Sequence, residues 1–131
     1  MNASSIEQIR AILMKEISKA MEITSQKVLG DMYDKTGGFY TGGEPKKYVR
    51  TGALGDTPRT TAVTRSGNSV SFEAYLDQSH KYTTGNFSMP EVLERAESEN
   101  NRAGIVGKPH FWEDSKKAME KTFNDTMKKF F

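Results

Sequence analysis

Residues 61–77, TAVTRSGNSVSFEAYLD, decide the fold. Val70, Phe72, Ala74 and Leu76 alternate with Ser71, Glu73, Tyr75 and Asp77, so one face is apolar and the other polar, the pattern of a half-buried strand. Just upstream, Arg59 to Arg65 is rich in β-branched Thr and Val, and Ser66-Gly67-Asn68 suits the connection of a hairpin. Two strands alone are marginally stable, so this hairpin has to lie on helices or join a larger sheet, including one completed between subunits.

Helical patterns flank it on both sides. Ile6, Ile9, Leu13, Ile17, Ala20, Met21 and Val28 fall on one stripe at steps of three and four, which predicts an amphipathic helix from about Ser5 to about Tyr33. Ser4 with Glu7 three residues later fits a capping box, and Gly30 weakens the last turn. At the other end, residues 109–131, PHFWEDSKKAMEKTFNDTMKKFF, read as a helix with Trp112, Met119, Phe123, Met127 and Phe130 on its apolar stripe. Glu113 and Asp114 near its amino end and Lys128 and Lys129 near its carboxyl end agree with the helix dipole. Met89-Pro90 followed by EVLERAESENN predicts a short acidic helix with Val92, Leu93 and Ala96 inward, and Asn100 to Gly107 a glycine-containing loop. The expected fold is α+β: a long N-terminal helix and a C-terminal helix packed on a small antiparallel hairpin or sheet.

Residues 35–60, KTGGFYTGGEPKKYVRTGALGDTPRT, carry Gly37, Gly38, Gly42 and Gly43 around Phe39 and Tyr40. Glycine loses the most entropy on ordering, so a flexible loop is expected at about residues 35–50, fixed against a partner or the body of the fold. Thr51 is placed to cap a short turn through Gly52, Ala53 and Leu54.

Composition bounds the rest. The 131 residues suit one domain, spanning 1–131, because two separate cores would each be too small. With 35% hydrophobic and 27% charged residues the chain is polar, so part of its apolar burial is expected from neighbouring subunits. It has no cysteine, which removes disulfides, thiolate metal sites and thiol nucleophiles and accords with a reducing cytosol. The N-terminal MNASSIEQIR lacks the pattern of a secretory signal, and the longest apolar run, Ala11 to Met14, is far short of a membrane span, so no membrane association is expected. A net charge of +2 does not by itself imply nucleic-acid binding.

The candidate reactive groups are few. His80 and His110 are the only histidines and neither sits in a metal-ligand spacing. His80 with Asp77 can be drawn as a base and its orienting carboxylate, and Glu91, Glu94, Glu97 and Glu99 as a hard-cation cluster; a chance pair and a solvated helix face are the simpler readings. No GxSxG, phosphate-cradling GxxxxGK[ST] or strand-to-helix GxGxxG occurs. The reading is therefore non-enzymatic, with no cofactor and no metal. Lys35, Lys46, Lys47, Arg50, Arg59 and Arg65, interleaved with Phe39, Tyr40 and Tyr48, form a central basic segment. There Lys46, Lys47 and Arg50 are candidate phosphate contacts, so a small nucleic-acid-binding module is the alternative function.

Within KKYVRTGALGDT, Tyr48 followed by Arg50, Thr51, Gly52 and Leu54 resembles the signature of the gene-product-ten-like tail-completion and neck proteins of long-tailed bacteriophages. The order of elements resembles that family as well: amphipathic helix, RTG segment, hairpin, and a last helix opened by an aromatic cluster, here Pro109, Phe111 and Trp112. The region from His80 to Gly107 departs from it, because many members carry a Tyr-Ala-x-x-x-Glu-x-Gly-Thr stretch there. The resemblance implies a structural subunit of a neck or tail-completion ring, in a phage or phage-tail-like particle, joining tail to head or capping the upper tail. It implies a homo-oligomeric ring, contacts with adjacent neck, tail-terminator or connector proteins, DNA touched at most transiently, and a place in the virion after assembly in the host bacterial cytoplasm. Tyr48, Arg50, Thr51, Gly52 and Leu54 are then the motif residues expected to serve assembly.

Overall fold

The computed structural model describes residues 5–43, 52–79, 88–98 and 107–131. Helix α1 spans Ile6–Gly37, strands β1 to β4 span Pro58–Thr60, Thr64–Ser66, Ser69–Ser71 and Ala74–Leu76, and helices α2 and α3 span Met89–Glu97 and Phe111–Phe130. Short 3-10 helices occupy Gly38–Thr41 and Leu54–Asp56. This is the expected α+β arrangement of two long helices with a small antiparallel element.

The four strands are one interrupted hairpin. β1 pairs with β4 through Pro58 opposite Leu76 and Thr60 opposite Ala74, while β2 pairs with β3 through Thr64 opposite Ser71 and Ser66 opposite Ser69. Thr61 continues the outer ladder by donating its amide to Glu73 O at 2.9 Å, and its hydroxyl accepts the Glu73 amide at 2.8 Å. Ala62 and Val63 then oppose Phe72 alone, so one extra residue shifts the register and splits the ladder, as in a β-bulge. Gly67 closes the tip with φ 58°, the glycine-first geometry of a tight hairpin turn. Val70, Phe72, Ala74 and Leu76 are half-buried while Ser71, Glu73 and Tyr75 are exposed, in keeping with the alternation.

Helix α1 departs from its expected ends. Its cap is Ser5, whose hydroxyl accepts the Gln8 amide at 3.2 Å, instead of Ser4 with Glu7; Ser4 lies outside the described residues. It runs four residues beyond Tyr33, through Gly37, and the 3-10 turn follows directly, so residues 35–41 of the expected loop are helical. Thr36 makes this favourable: it is fully buried and its hydroxyl returns to Met32 O at 2.8 Å. Residues 44–51 of that loop lie outside the described residues.

The core cluster joins Phe39, Leu54, Met89, Val92, Leu93, Ala96 and Phe111, with Tyr40, Ala53, Leu76 and Trp112 at its margin. The inward positions expected for α2 are all buried. The ring of Phe39 packs edge-on against Phe111 with centroids 6.0 Å apart, bringing the end of α1 to the start of α3. Further along, Thr122 donates its hydroxyl to the Asp31 carboxylate. The two contacts run in opposite senses along the helices, so α1 and α3 are antiparallel.

The apolar stripe expected for α3 is only its flank. The buried residues are Phe111, Ser115 and Thr126, whereas Phe123 is exposed. Ser115 donates to Phe111 O at 2.7 Å and Thr24 on α1 donates to Ala20 O at 2.8 Å, so these small hydroxyls are satisfied inside their own helices. Short side chains let the helices approach closely, and the bulky ones are left at the edges.

Candidate assembly surface

Of the motif residues, Gly52 and Leu54 are described; Tyr48, Arg50, Thr51, Lys46 and Lys47 lie outside the described residues. Gly52 has φ 80°, a left-handed conformation that costs glycine little. Leu54, two residues on, is buried in the core cluster. The next residue is clamped as well, because the Gly55 amide donates to the Tyr40 hydroxyl at 2.9 Å. Thr57 then closes the 3-10 turn with its hydroxyl on Leu54 O at 2.7 Å. The described end of the RTG segment is thus anchored to the body of the fold by one leucine and one tyrosine.

Of the basic segment, Lys35, Arg59 and Arg65 are described. Arg59 donates to Asp56 O and Pro58 O at 2.7 and 2.8 Å and lies 3.6 Å from the Asp77 carboxylate. Lys35 is 3.9 Å from Asp34, and Arg65 is exposed on β2. Asp77 also accepts from the Ser79 amide and hydroxyl at 2.9 and 2.7 Å, so its carboxylate is engaged locally; His80 lies outside the described residues. His110 sits at the entry to α3 with φ 64° and its Nδ1 3.8 Å from Glu113.

Among the described residues no group of three or more histidines and carboxylates could hold a metal ion. Glu97 faces the start of α3 instead, where it accepts the Trp112 and Glu113 amides. On the exposed face of α3, Lys121 bonds Asp125 at 2.8 Å; this hydrogen bond and charge hold the Asp125 carboxyl below its usual range and raise Lys121. The pair is a solvated i,i+4 contact.

What sequence reasoning missed is the exposure of the first half of α1. Both helices rise about 1.5 Å per residue, so eight residues past the Asp31 to Thr122 contact the end of α3 falls opposite roughly Ile23. The first turns of α1 therefore project about 25 Å beyond α3. On this arm Met14 is buried and α1 touches β3, yet Ile6, Ile9 and Leu13 are 77%, 45% and 46% exposed. Their stripe continues the line of Ala20 and Thr24, which are fully buried farther along the helix. The signal was present in the sequence as the unequal lengths of the two helical patterns.

Among the described residues no helix is long and apolar enough to cross a membrane. A sequence-family model described as YomN matches residues 2–131. No curated protein and no solved structure matches the chain.

Proposed function

The chain belongs to the YomN family, and from that premise we propose that it is a structural subunit of a phage, or of a phage-tail-like particle, built into a ring at the neck or at the upper end of the tail. The family name is compatible with a phage-derived protein. The observation that carries the reading is the division of apolar surface: Leu54 of the RTG segment is locked into the core while Ile6, Ile9 and Leu13 stand exposed on a projecting helix. Contiguous exposed aliphatic residues are the mark of a surface that another macromolecule covers. The order of elements, with a helix, an RTG segment, a hairpin and a helix opened by Phe111 and Trp112, supports the same reading.

In this reading the protein forms a homo-oligomeric ring, meets adjacent neck, tail-terminator or connector proteins, performs no catalysis and touches DNA at most in passing. The alternative, nucleic-acid binding through Lys46, Lys47 and Arg50, draws no help from Arg59, which is held by backbone carbonyls and lies beside Asp77. Purified particles from an induced host supply the test. The chain should be present in stoichiometric amount by mass spectrometry, and deleting its gene should give separated heads and tails. Normal particles lacking the chain would refute the proposal, and salt-sensitive DNA binding lost on replacing Lys46, Lys47 and Arg50 by alanine would favour the alternative.

A further inference from the structure

We propose that the projecting arm of α1 is the contact by which two copies of this chain pair, antiparallel, with Ile6 against the partner's Ile17 and Ile9 against the partner's Leu13. The occupant follows from three features of the arm. First, the exposed stripe is the uncovered continuation of the face that α3 occupies farther along α1, so the surface suits an antiparallel helix. An arm from a second copy laid antiparallel on this stripe runs in the same direction as α3 and stands just beyond its end.

Second, the ends then match electrostatically. The carboxyl end of α3, with Lys128 and Lys129 in its last turn, faces the amino end of the partner's α1, with Glu7 in its first turn, so dipole ends and side-chain charges are both opposite. The partner's Ile6 is also brought towards Phe131, which is 61% exposed. Third, the charges flanking the stripe are balanced: Glu7, Glu16 and Glu22 against Arg10, Lys15 and Lys19. A helix that lies on anionic lipid or on nucleic acid needs a basic surplus, and this arm has none.

Antiparallel pairing of identical stripes is two-fold symmetric, so the contact closes on itself and leaves the rest of the molecule free for other partners. The inference rests on the exposed arm and not on the neck reading; a dimer in a protein absent from any particle would leave it standing. The paired area is small beside the roughly 1,200–2,000 Å² of stable complexes, so dissociation is expected in the range of about 10–100 µM.

Sedimentation equilibrium of the full chain over a concentration series tests it. The expected result is a monomer to dimer equilibrium, weakened at least about tenfold by Leu13→Glu. Because Leu13 is half-exposed, the variant should keep the wild-type circular dichroism and melting temperature. The absence of native cysteine allows a second measurement: mixing Ile9→Cys with Leu13→Cys under oxidation should give the mixed disulfide in preference to either homodimer. A monomer at all concentrations, a dimer indifferent to Leu13→Glu, or cross-linking of Ile9→Cys to itself alone would each overturn the proposal. So would binding of the wild-type chain to phosphatidylglycerol vesicles that Leu13→Glu abolishes, which would assign the arm to a lipid surface.

Discussion

The Glu97 carboxylate at the end of α2 accepts the backbone amide of Trp112 in the first turn of α3 at 2.7 Å, and its other oxygen accepts the Glu113 amide at 3.2 Å. The Glu97 carbonyl also accepts the His110 amide at 3.1 Å. Helix α3 has no capping side chain of its own, since His110 at its N-cap makes no such bond. A residue 15 positions earlier thus satisfies two amides that the first turn leaves open, and places negative charge at the positive end of the dipole. Glu97→Ala should lower stability by about 1–2 kcal/mol in urea titration, and Glu97→Gln, which keeps one acceptor oxygen, by roughly half of that. Equal losses for the two variants would show that packing, and not capping, holds the residue.

Two glycines are required by close approach. A Cβ on Gly107 would lie 2.3 to 2.5 Å from the Phe39 ring, and one on Gly42 would lie 2.1 Å from the Lys108 amide nitrogen. Lys108 in turn donates to Phe39 O at 2.8 Å, so these segments are fastened together. Gly107→Ala should cost about 1–3 kcal/mol, part of which Phe39→Leu in the same chain restores by making room. Gly42→Ala meets backbone, which has no comparable way to yield, and should gain nothing from Phe39→Leu. Chemical denaturation of the singles and doubles decides the matter.

These cases show what periodicity can and cannot disclose. The alternation of Val70 to Leu76 and the inward positions Val92, Leu93 and Ala96 were legible because one apolar face repeats with a fixed period. The helical state of Gly37 and Gly38 was not, because tertiary burial of Thr36 and Phe39 outweighs the weak local preference of glycine. The face of α3 was misjudged for a related reason: Ser115 looks polar in sequence, but its hydroxyl is satisfied at Phe111 O and it packs as a small residue. Of the assembly surface, the stripe on α1 was legible and its exposure was not, since only the stagger of α3 decides which turns are covered.

Gly30 has the opposite character to Gly42. It lies inside α1, is exposed, and a Cβ there would meet nothing within 4 Å. Gly30→Ala should therefore stabilise the protein by about 0.5–1 kcal/mol, through the lower entropy of the unfolded chain and the better helix propensity of alanine. Thermal unfolding followed by circular dichroism would register a rise of a few degrees. A fall in melting temperature would imply that another chain or segment packs on this side of α1.

The Tyr40 hydroxyl ties the end of α1 to the segment carrying Leu54 by accepting the Gly55 amide at 2.9 Å. Tyr40→Phe keeps the ring, whose edge packs against Phe39 with centroids 5.7 Å apart, and removes the hydroxyl. The expected loss is about 1 kcal/mol, with hydrogen exchange at the Gly55 amide accelerated more than at the α2 amides. Uniform acceleration across the core would mean that the hydroxyl supports the whole fold and not this one segment.

The stagger that creates the arm carries a polar register mark. Thr122 donates to the Asp31 carboxylate across the α1 and α3 interface, a side-chain hydrogen bond to a charged acceptor in a part-buried setting. Sliding α3 by one turn, about 5.4 Å, towards the start of α1 would carry its end from opposite Ile23 to roughly opposite Lys19, into the space that the partner's first turn takes in the paired arms, and would break this bond. Thr122→Val, close in shape but without a donor, should lower stability by about 1.5–3 kcal/mol because it leaves the carboxylate under-satisfied. Adding Asp31→Leu should recover part of that loss, since replacing both partners by apolar groups leaves no part-buried carboxylate without its donor. The double variant has lost the polar register mark, so its helices can settle at a different stagger. If the bond sets the stagger, mixed-disulfide formation between the Ile9→Cys and Leu13→Cys arms should fall in that background while stability recovers. Unchanged cross-linking would show that core packing at Phe39 and Phe111 is sufficient to fix the register.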